Sequence, residues 1–176
     1  MRRKILLLGA GGQLGRTLVS LFNSEDLTEL FEPSAVRHFE LDVTSESAVA
    51  ELINEMHPEI VINATAYTAV DAAEDDIATC FAVNRDAPGY IAKACSTVNA
   101  KLLHVSTDYV YNGDIERLHD ESESLMPTGV YASSKLEGEL RAMQFCENTV
   151  VIRTSWLYSP YGKNFVKTIG NLSFTK

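Results

Sequence analysis

Positive charge is in short supply. Fifteen Lys and Arg residues face 24 Asp and Glu, leaving a formal charge of −9, and that balance repels nucleic-acid phosphates rather than gathering them. No nucleic-acid partner is expected. Cysteine is scarcer still, with Cys80, Cys95 and Cys146 the complete set. Their odd number and wide spacing argue against a disulfide framework and against a zinc site. Buried thiols in a reducing cytosol fit instead, so the expected location is cytoplasmic and no metal is expected. Long apolar runs are missing as well. The opening "MRRKILLLGAGG" has the basic-then-apolar order of a secretion signal, but its apolar run of Ile5, Leu6, Leu7 and Leu8 stops at Gly9, short of the ~7–15 residues of a signal core. Nothing later approaches the ~18 uninterrupted apolar residues of a membrane helix. No repeat, low-complexity tract or linker divides the chain, so one domain over 1–176 is expected.

What is present is an alternation. At 45% apolar the chain can bury a core. A strand "KILLLG" precedes a helix "GQLGRTLVSLFN" whose Leu14, Leu18, Leu21 and Phe22 share a face. Further strands are read in "LTELFE" and "RHFELD", then a helix over 45–56 capped by Ser45 and packed through Val49, Leu52, Ile53 and Met56. "EIVINATA", "KLLHVS" and "TVVIRTS" read as strands, separated by helices over about 76–98 and from "YASSK" onward; "GKNFVKTIG" starts another helix. This rhythm predicts an α/β fold, a doubly wound parallel sheet covered on both faces. The acidic stretch 112–128 lacks periodicity; it is either a loop bounding a site or a solvated loop without function.

Gly9, Gly12 and Gly15 stand three apart in "GAGGQLG", after a strand and at the opening of a helix. In that context Gly9 permits a tight turn, Gly12 lets backbone approach a pyrophosphate, and Gly15 lets helix and sheet pack closely, with helix amides binding the anion. A turn without a ligand is the alternative. An acidic residue about 20 positions on binds ribose hydroxyls in such folds. Glu32, expected near the end of the second strand, is the candidate; nearby Arg37 would instead attract the extra phosphate of NADP. Either residue alone reads equally as a surface charge.

Tyr131 and Lys135 in "YASSKLEGEL" are four apart, so on a helix they project to the same side. A phenol with pKa about 10 is lowered by ~1–3 units beside an ammonium; Lys135 is therefore expected to tune Tyr131 into a proton donor for a carbonyl oxygen. By chance alone the spacing is common. The strand "KLLHV" leads into "STDYVYNG", placing Ser106 and Thr107 at a strand's carboxyl end, where open α/β sheets bind ligands. Thr107 could hold a substrate oxygen beside Tyr131, or merely finish the strand.

With "LDVT", "NATAYTAVDAAE", "FAVNRDAPGYIA", "STDYVYNG", "YASSKLEGE" and "IRTSWLYSPYGKNFVKT" added to the glycine turn, the sequence resembles the extended short-chain dehydrogenase/reductases, a Rossmann-like fold, and within them the dTDP-4-dehydrorhamnose reductase family. The resemblance implies a catalytic trio of Thr107, Tyr131 and Lys135, with Thr107, Asp108 and Trp156 facing substrate. It implies cofactor contacts from Gly12, Gln13, Leu14, Asp42, Val43, Ala66, Tyr67, Thr68, Tyr131 and Lys135, and a role for Asn84 in positioning a helix or as a plain structural amide. Asp42 also reads as a helix cap. The implied reaction reduces the C4 keto group of a dTDP-linked sugar with NADPH or NADH. Sugar-nucleotide dehydratases carry a glutamate where this chain has Tyr109, and an epimerase matches the motifs less well. Some family members hold magnesium at a dimer contact through a glutamate where this chain has Thr17; a homodimer stays open, and magnesium is not expected. Members of the family extend roughly a hundred residues further, so the resemblance implies that the region building most of the sugar pocket is absent. A non-catalytic nucleotide-binding regulator, similar to the regulatory subunit of methionine adenosyltransferase, is the alternative function.

Overall fold

The computed structural model describes residues 2–111, 113 and 118–173. Five strands, β1 (Arg3–Leu8), β2 (Phe31–Val36), β3 (Ile60–Asn63), β4 (Lys101–Thr107) and β5 (Thr149–Thr154), form one parallel sheet in the order β2-β1-β3-β4-β5. A buried parallel strand needs apolar residues toward both faces, and Ile5 to Leu8 of β1 supply them, each 3% exposed or less. Leu6 and Leu8 pack with α3 (Glu46–Met56), α6 (Ala87–Thr97) and α7 (Gly129–Phe145) through Val49, Ile53, Ile91 and Ala142. Ile5 and Leu7 meet Phe22 of α1 (Gln13–Phe22) on the opposite face.

That opposite face is covered only toward β1. On β5, Val150 and Ile152 are 56% and 40% exposed, so the expectation of helices over both faces holds for one face and for part of the other. Leu21, expected on the packed face of α1, is 53% exposed; Leu18 and Phe22 carry that contact. Among the described residues no helix is long and apolar enough to cross a membrane.

The second sequence unit differs from expectation. "LTELFE" opens as a helix, α2 (Glu25–Leu30), because Glu25 and Asp26 occupy its first turn, where negative charge suits the helix dipole. The strand follows as β2 and contains Pro33, tolerated because β2 is at the sheet's edge. "RHFELD" forms no strand: the amides of Glu40 and Leu41 both return to the Arg37 carbonyl, and the Arg37 amide donates to the Glu40 carboxylate at 2.7 Å. Asp42 and Val43 therefore follow a turn. The helix expected over about 76–98 runs as α5 (Ile77–Phe81), a wide π-type turn (Ala82–Asp86) and α6, after a short α4 (Val70–Ala73). Among the described residues the last element is α8 (Phe165–Ser173). Of the acidic stretch 112–128, residues 112 and 114–117 lie outside the described residues.

Candidate active site

Strand order reverses between β1 and β3, and in open α/β sheets the ligand crevice opens outside the carboxyl ends at such a point. The glycine turn sits there. Gly9 has φ +86°, and a Cβ on it would lie 2.7 Å from the Ala64 carbonyl oxygen; on Gly15 it would lie 2.1 Å from that of Gly9. Neither position admits a side chain. The amides of Gly9 and Ala10 both donate to the Val36 carbonyl, at 3.1 and 3.0 Å, which ties the turn to β2. Gly12 begins α1 without a side-chain cap, and no acidic residue occupies the first turn, so the helix's leading amides face a cradle with no competing anion.

Two cavities flank this turn. One of about 650 Å³ is lined by Gly9, Gly12, Asp42, Val43, Ala66 and Tyr67, six of the residues expected to touch cofactor. The other, about 540 Å³, brings Gly12, Gln13, Leu14, Ala66 and Thr68 together with Thr107, Asp108, Tyr131, Lys135 and Trp156. Both share Gly12, Ala64, Thr65 and Ala66 in their walls. The expected catalytic and substrate-facing side chains thus line one hollow. Gly15 lines neither cavity, its contribution being the close approach to Gly9.

Glu32 is a correction. It is the second residue of β2, at the strand's amino end, in register with Lys4 and beside Glu55 and Pro58. A carboxylate there cannot reach a ribose at the carboxyl ends of the strands. Arg37, His38 and Phe39 follow β2 and line the larger cavity in its place. A strand over "LTELFE" would end near Glu32, but β2 begins only at Phe31 and runs to Val36.

Thr107 ends β4, its hydroxyl donating to Asp108 at 3.1 Å and accepting from the Tyr109 amide at 3.3 Å. Tyr131 lies on α7 with the Tyr109 ring edge-on, centroids 5.8 Å apart. Lys135, one turn later, is 1% exposed and donates to the Val105 carbonyl at 2.7 Å. Burial lowers its pKa to about 8. The Tyr131 phenol moves the other way from expectation: burial raises it, against a hydrogen bond with Thr107, and Lys135 is not among the groups that shift it. The ammonium is turned to Val105, so in this chain alone the phenol keeps its proton.

Asp42 accepts from the amide and hydroxyl of Thr44 at 2.9 and 2.7 Å, bonds that lower its pKa; Ser45, not Asp42, accepts from the Ala48 amide at the start of α3. Asn84, in the π-type turn, clamps Tyr67 by accepting from its amide at 2.9 Å and donating to its carbonyl at 3.0 Å, and it also donates to the Ser134 hydroxyl at 3.1 Å. It fixes the loop after β3 to α7. Trp156 sits at φ +52°, a strained angle for a bulky residue, 73% exposed and edge-on to Phe165.

Sequence reasoning missed Thr65, whose hydroxyl and amide are held by the buried Asn63 at 2.6 and 3.1 Å. The carboxyl-end rule applied to β3 would have found it. It also left Ser106 out of the site residues; the residue lines the smaller cavity, and its hydroxyl is buried without a hydrogen-bond partner among the described residues. A third omission is the segment after β5. Gln13 donates to the Leu157 carbonyl at 2.8 Å and Arg16 lies 4.3 Å over the Tyr161 ring, contacts no local pattern announces.

The sequence profile of the RmlD substrate binding domain matches residues 3–176. A dTDP-4-dehydrorhamnose reductase of Aggregatibacter actinomycetemcomitans is 39% identical over 170 residues, covering 97% of this chain and 57% of the relative. A crystal structure of the reductase from Bacillus anthracis in complex with NADP superposes with TM-score 0.95 at 35% identity, covering all of this chain and 61% of that one. One from Clostridium acetobutylicum superposes at 0.92 with 36% identity, covering 98% and 60%. The chain spans a little over half the length of the curated relatives it matches.

Proposed function

The chain belongs to the RmlD substrate binding domain family, and from that premise we propose that it carries the cofactor site and catalytic groups for reducing the C4 keto group of dTDP-4-dehydro-L-rhamnose with NADPH or NADH. The observation that carries this reading is the single hollow in which the glycine turn meets Thr107, Tyr131, Lys135 and Trp156. The residues present suit a dinucleotide: a tight turn in which backbone crowds Gly9 and Gly15, an uncapped helix start, and two adjoining cavities of about 650 and 540 Å³. Gly12, Gln13 and Leu14 would hold the pyrophosphate; Asp42, Val43, Ala66 and Tyr67 would hold the adenosine side. Gln13 has its side chain committed to Leu157, so its contribution is the backbone amide.

When bound, the cofactor supplies the hydride that reaches the keto carbon. Tyr131, its proton retained by burial, gives that proton to the carbonyl oxygen as the carbon is reduced. Thr107 donates a hydrogen bond to the same oxygen after releasing Asp108, stabilising the charge that develops there. Lys135 contributes its ammonium to the ribose hydroxyls, and Trp156 forms the exposed wall against the sugar nucleotide. The Arg37 guanidinium, in the position Glu32 was expected to fill, favours the 2′-phosphate of NADPH.

The test follows NADPH oxidation with dTDP-4-dehydro-L-rhamnose for this chain and for a version extended to the relatives' length. Tyr131→Phe in the active version is expected to reduce kcat by about 10²–10⁴-fold while sparing NADPH affinity. An unchanged rate removes the phenol as donor; cofactor binding without turnover of this sugar by the extended version rejects the substrate.

A further inference from the structure

The reaction as proposed makes no use of a buried ion pair beside Lys135. Glu139 is 0% exposed and stands four residues along α7 from Lys135, so both project from one side of the helix. Arg153, on β5, closes on it with Nε 3.1 Å from Oε1 and 3.2 Å from Oε2, and Nη2 2.7 Å from Oε2. The remaining Nη1 donates to the Tyr111 hydroxyl at 2.8 Å. Taking two charges out of water costs about as much as their attraction returns, and apolar residues of similar volume usually pack as well. Stability is therefore a weak reason for the pair.

We propose that Glu139, paired with Arg153, is a positioning residue for Lys135: its carboxylate, one helical turn away, keeps the buried ammonium charged at the wall of the catalytic hollow. This rests on the reading of Lys135 as a catalytic group.

Among the described residues no other carboxylate is placed to substitute for it. On β4, His104 is fully buried and its imidazole is pushed well below its usual pKa, so it is neutral. Cys80 of α5, which also acts to favour the ammonium, is buried and shares a hydrogen bond with the Ser134 hydroxyl, and Tyr131 is a phenol that keeps its proton. Asp108, after β4, takes the Thr107 hydroxyl. Glu74, beyond α4, accepts from the Val130 amide at the start of α7. In the π-type turn Asp86 is taken by Arg85 and by Arg141 of α7, while Glu137 faces Arg85. Of α6, Lys93 pairs with Glu46, and Cys95 is a thiol pushed up to about 12 by burial. Glu139 is the buried carboxylate whose charge is felt at Lys135.

NMR of lysine labelled at Cε reads the ammonium directly, with Lys135→Met identifying its signal. Glu139→Gln is expected to lower the titration midpoint of Lys135 by about one pH unit and to weaken NADPH binding at neutral pH, with affinity returning as the pH is lowered. Glu139→Asp restores most of the midpoint. The charge-neutral double variant Glu139→Met with Arg153→Met keeps an apolar interior and is expected to show the same fall. An unmoved midpoint in folded Glu139→Gln, or in the double variant should the single one not fold, overturns the proposal. The midpoint is read without NADPH or sugar, so failure of the substrate assignment and failure of this inference are distinguishable.

Discussion

At the scale of single residues, Lys135 carries a measurable cost. Its folded pKa is depressed to about 8 from an ordinary 10.5, so between those values the unfolded chain binds more protons than the folded one. Stability from this group is lowest below pH 8 and rises as the pH climbs toward 10.5, a gain on the order of 3 kcal/mol. The Cys95 thiol works against it, because a raised pKa withdraws stability as the pH rises from 9.0 toward about 12. A comparison isolates the lysine: in urea unfolding, Lys135→Met is expected to be more stable than the parent chain near neutral pH, with the advantage shrinking toward pH 10. A constant difference would show that burial of the ammonium carries no such cost. The sequence disclosed that Tyr131 and Lys135 share a side of a helix, since spacing alone fixes that. It could not disclose that the ammonium turns to the Val105 carbonyl at 2.7 Å, because the orientation depends on a strand 30 residues earlier.

At the scale of elements, legibility followed hydrophobic runs. β1, β3, β4 and β5 appear where apolar stretches placed them, and α3 begins at the expected Ser45 cap. The β2 unit is less legible, because an edge strand needs no apolar run and tolerates Pro33, and "LTELFE" reads as strand although residues 27–30 finish α2. That reading puts the ribose contact at Glu32 and leaves NADPH and NADH open, whereas in the structure Arg37 lines the cavity and Glu32 does not. β2 delivers Arg37 and His38 to the cavity wall, with the Arg37 amide fixed by Glu40. Arg37→Ala is expected to weaken NADPH binding about tenfold, the worth of roughly one charge-assisted contact, and to leave NADH binding unchanged. Fluorescence titration with both nucleotides checks this, and an equal loss for the two would mean that Arg37 does not address the 2′-phosphate.

At the scale of the whole molecule, the sheet is unevenly covered. α3, α6 and α7 bury one face, but on the other α1 reaches only the β1 side, leaving Val150 and Ile152 open beside Leu103. β5 is an edge strand, and α8 exposes Phe165, Val166, Ile169 and Leu172, each at least 49% accessible. An edge strand with exposed apolar side chains favours association. The same end of the sheet supplies Thr154, Trp156 and Leu157 to the smaller cavity, which the glycine turn also lines through Gly12, Gln13 and Leu14. Val150 and Ile152 line neither cavity, so cofactor binding and any self-association through β5 are expected to separate. Val150→Lys with Ile152→Lys should shift the 176-residue chain toward monomer in sedimentation velocity while NADPH affinity stays within about twofold, because surface substitutions away from a site change its energetics by only ~0.5 kcal/mol. If the double variant stays associated, the contact lies elsewhere, and the exposed face of α8 is the next surface to change.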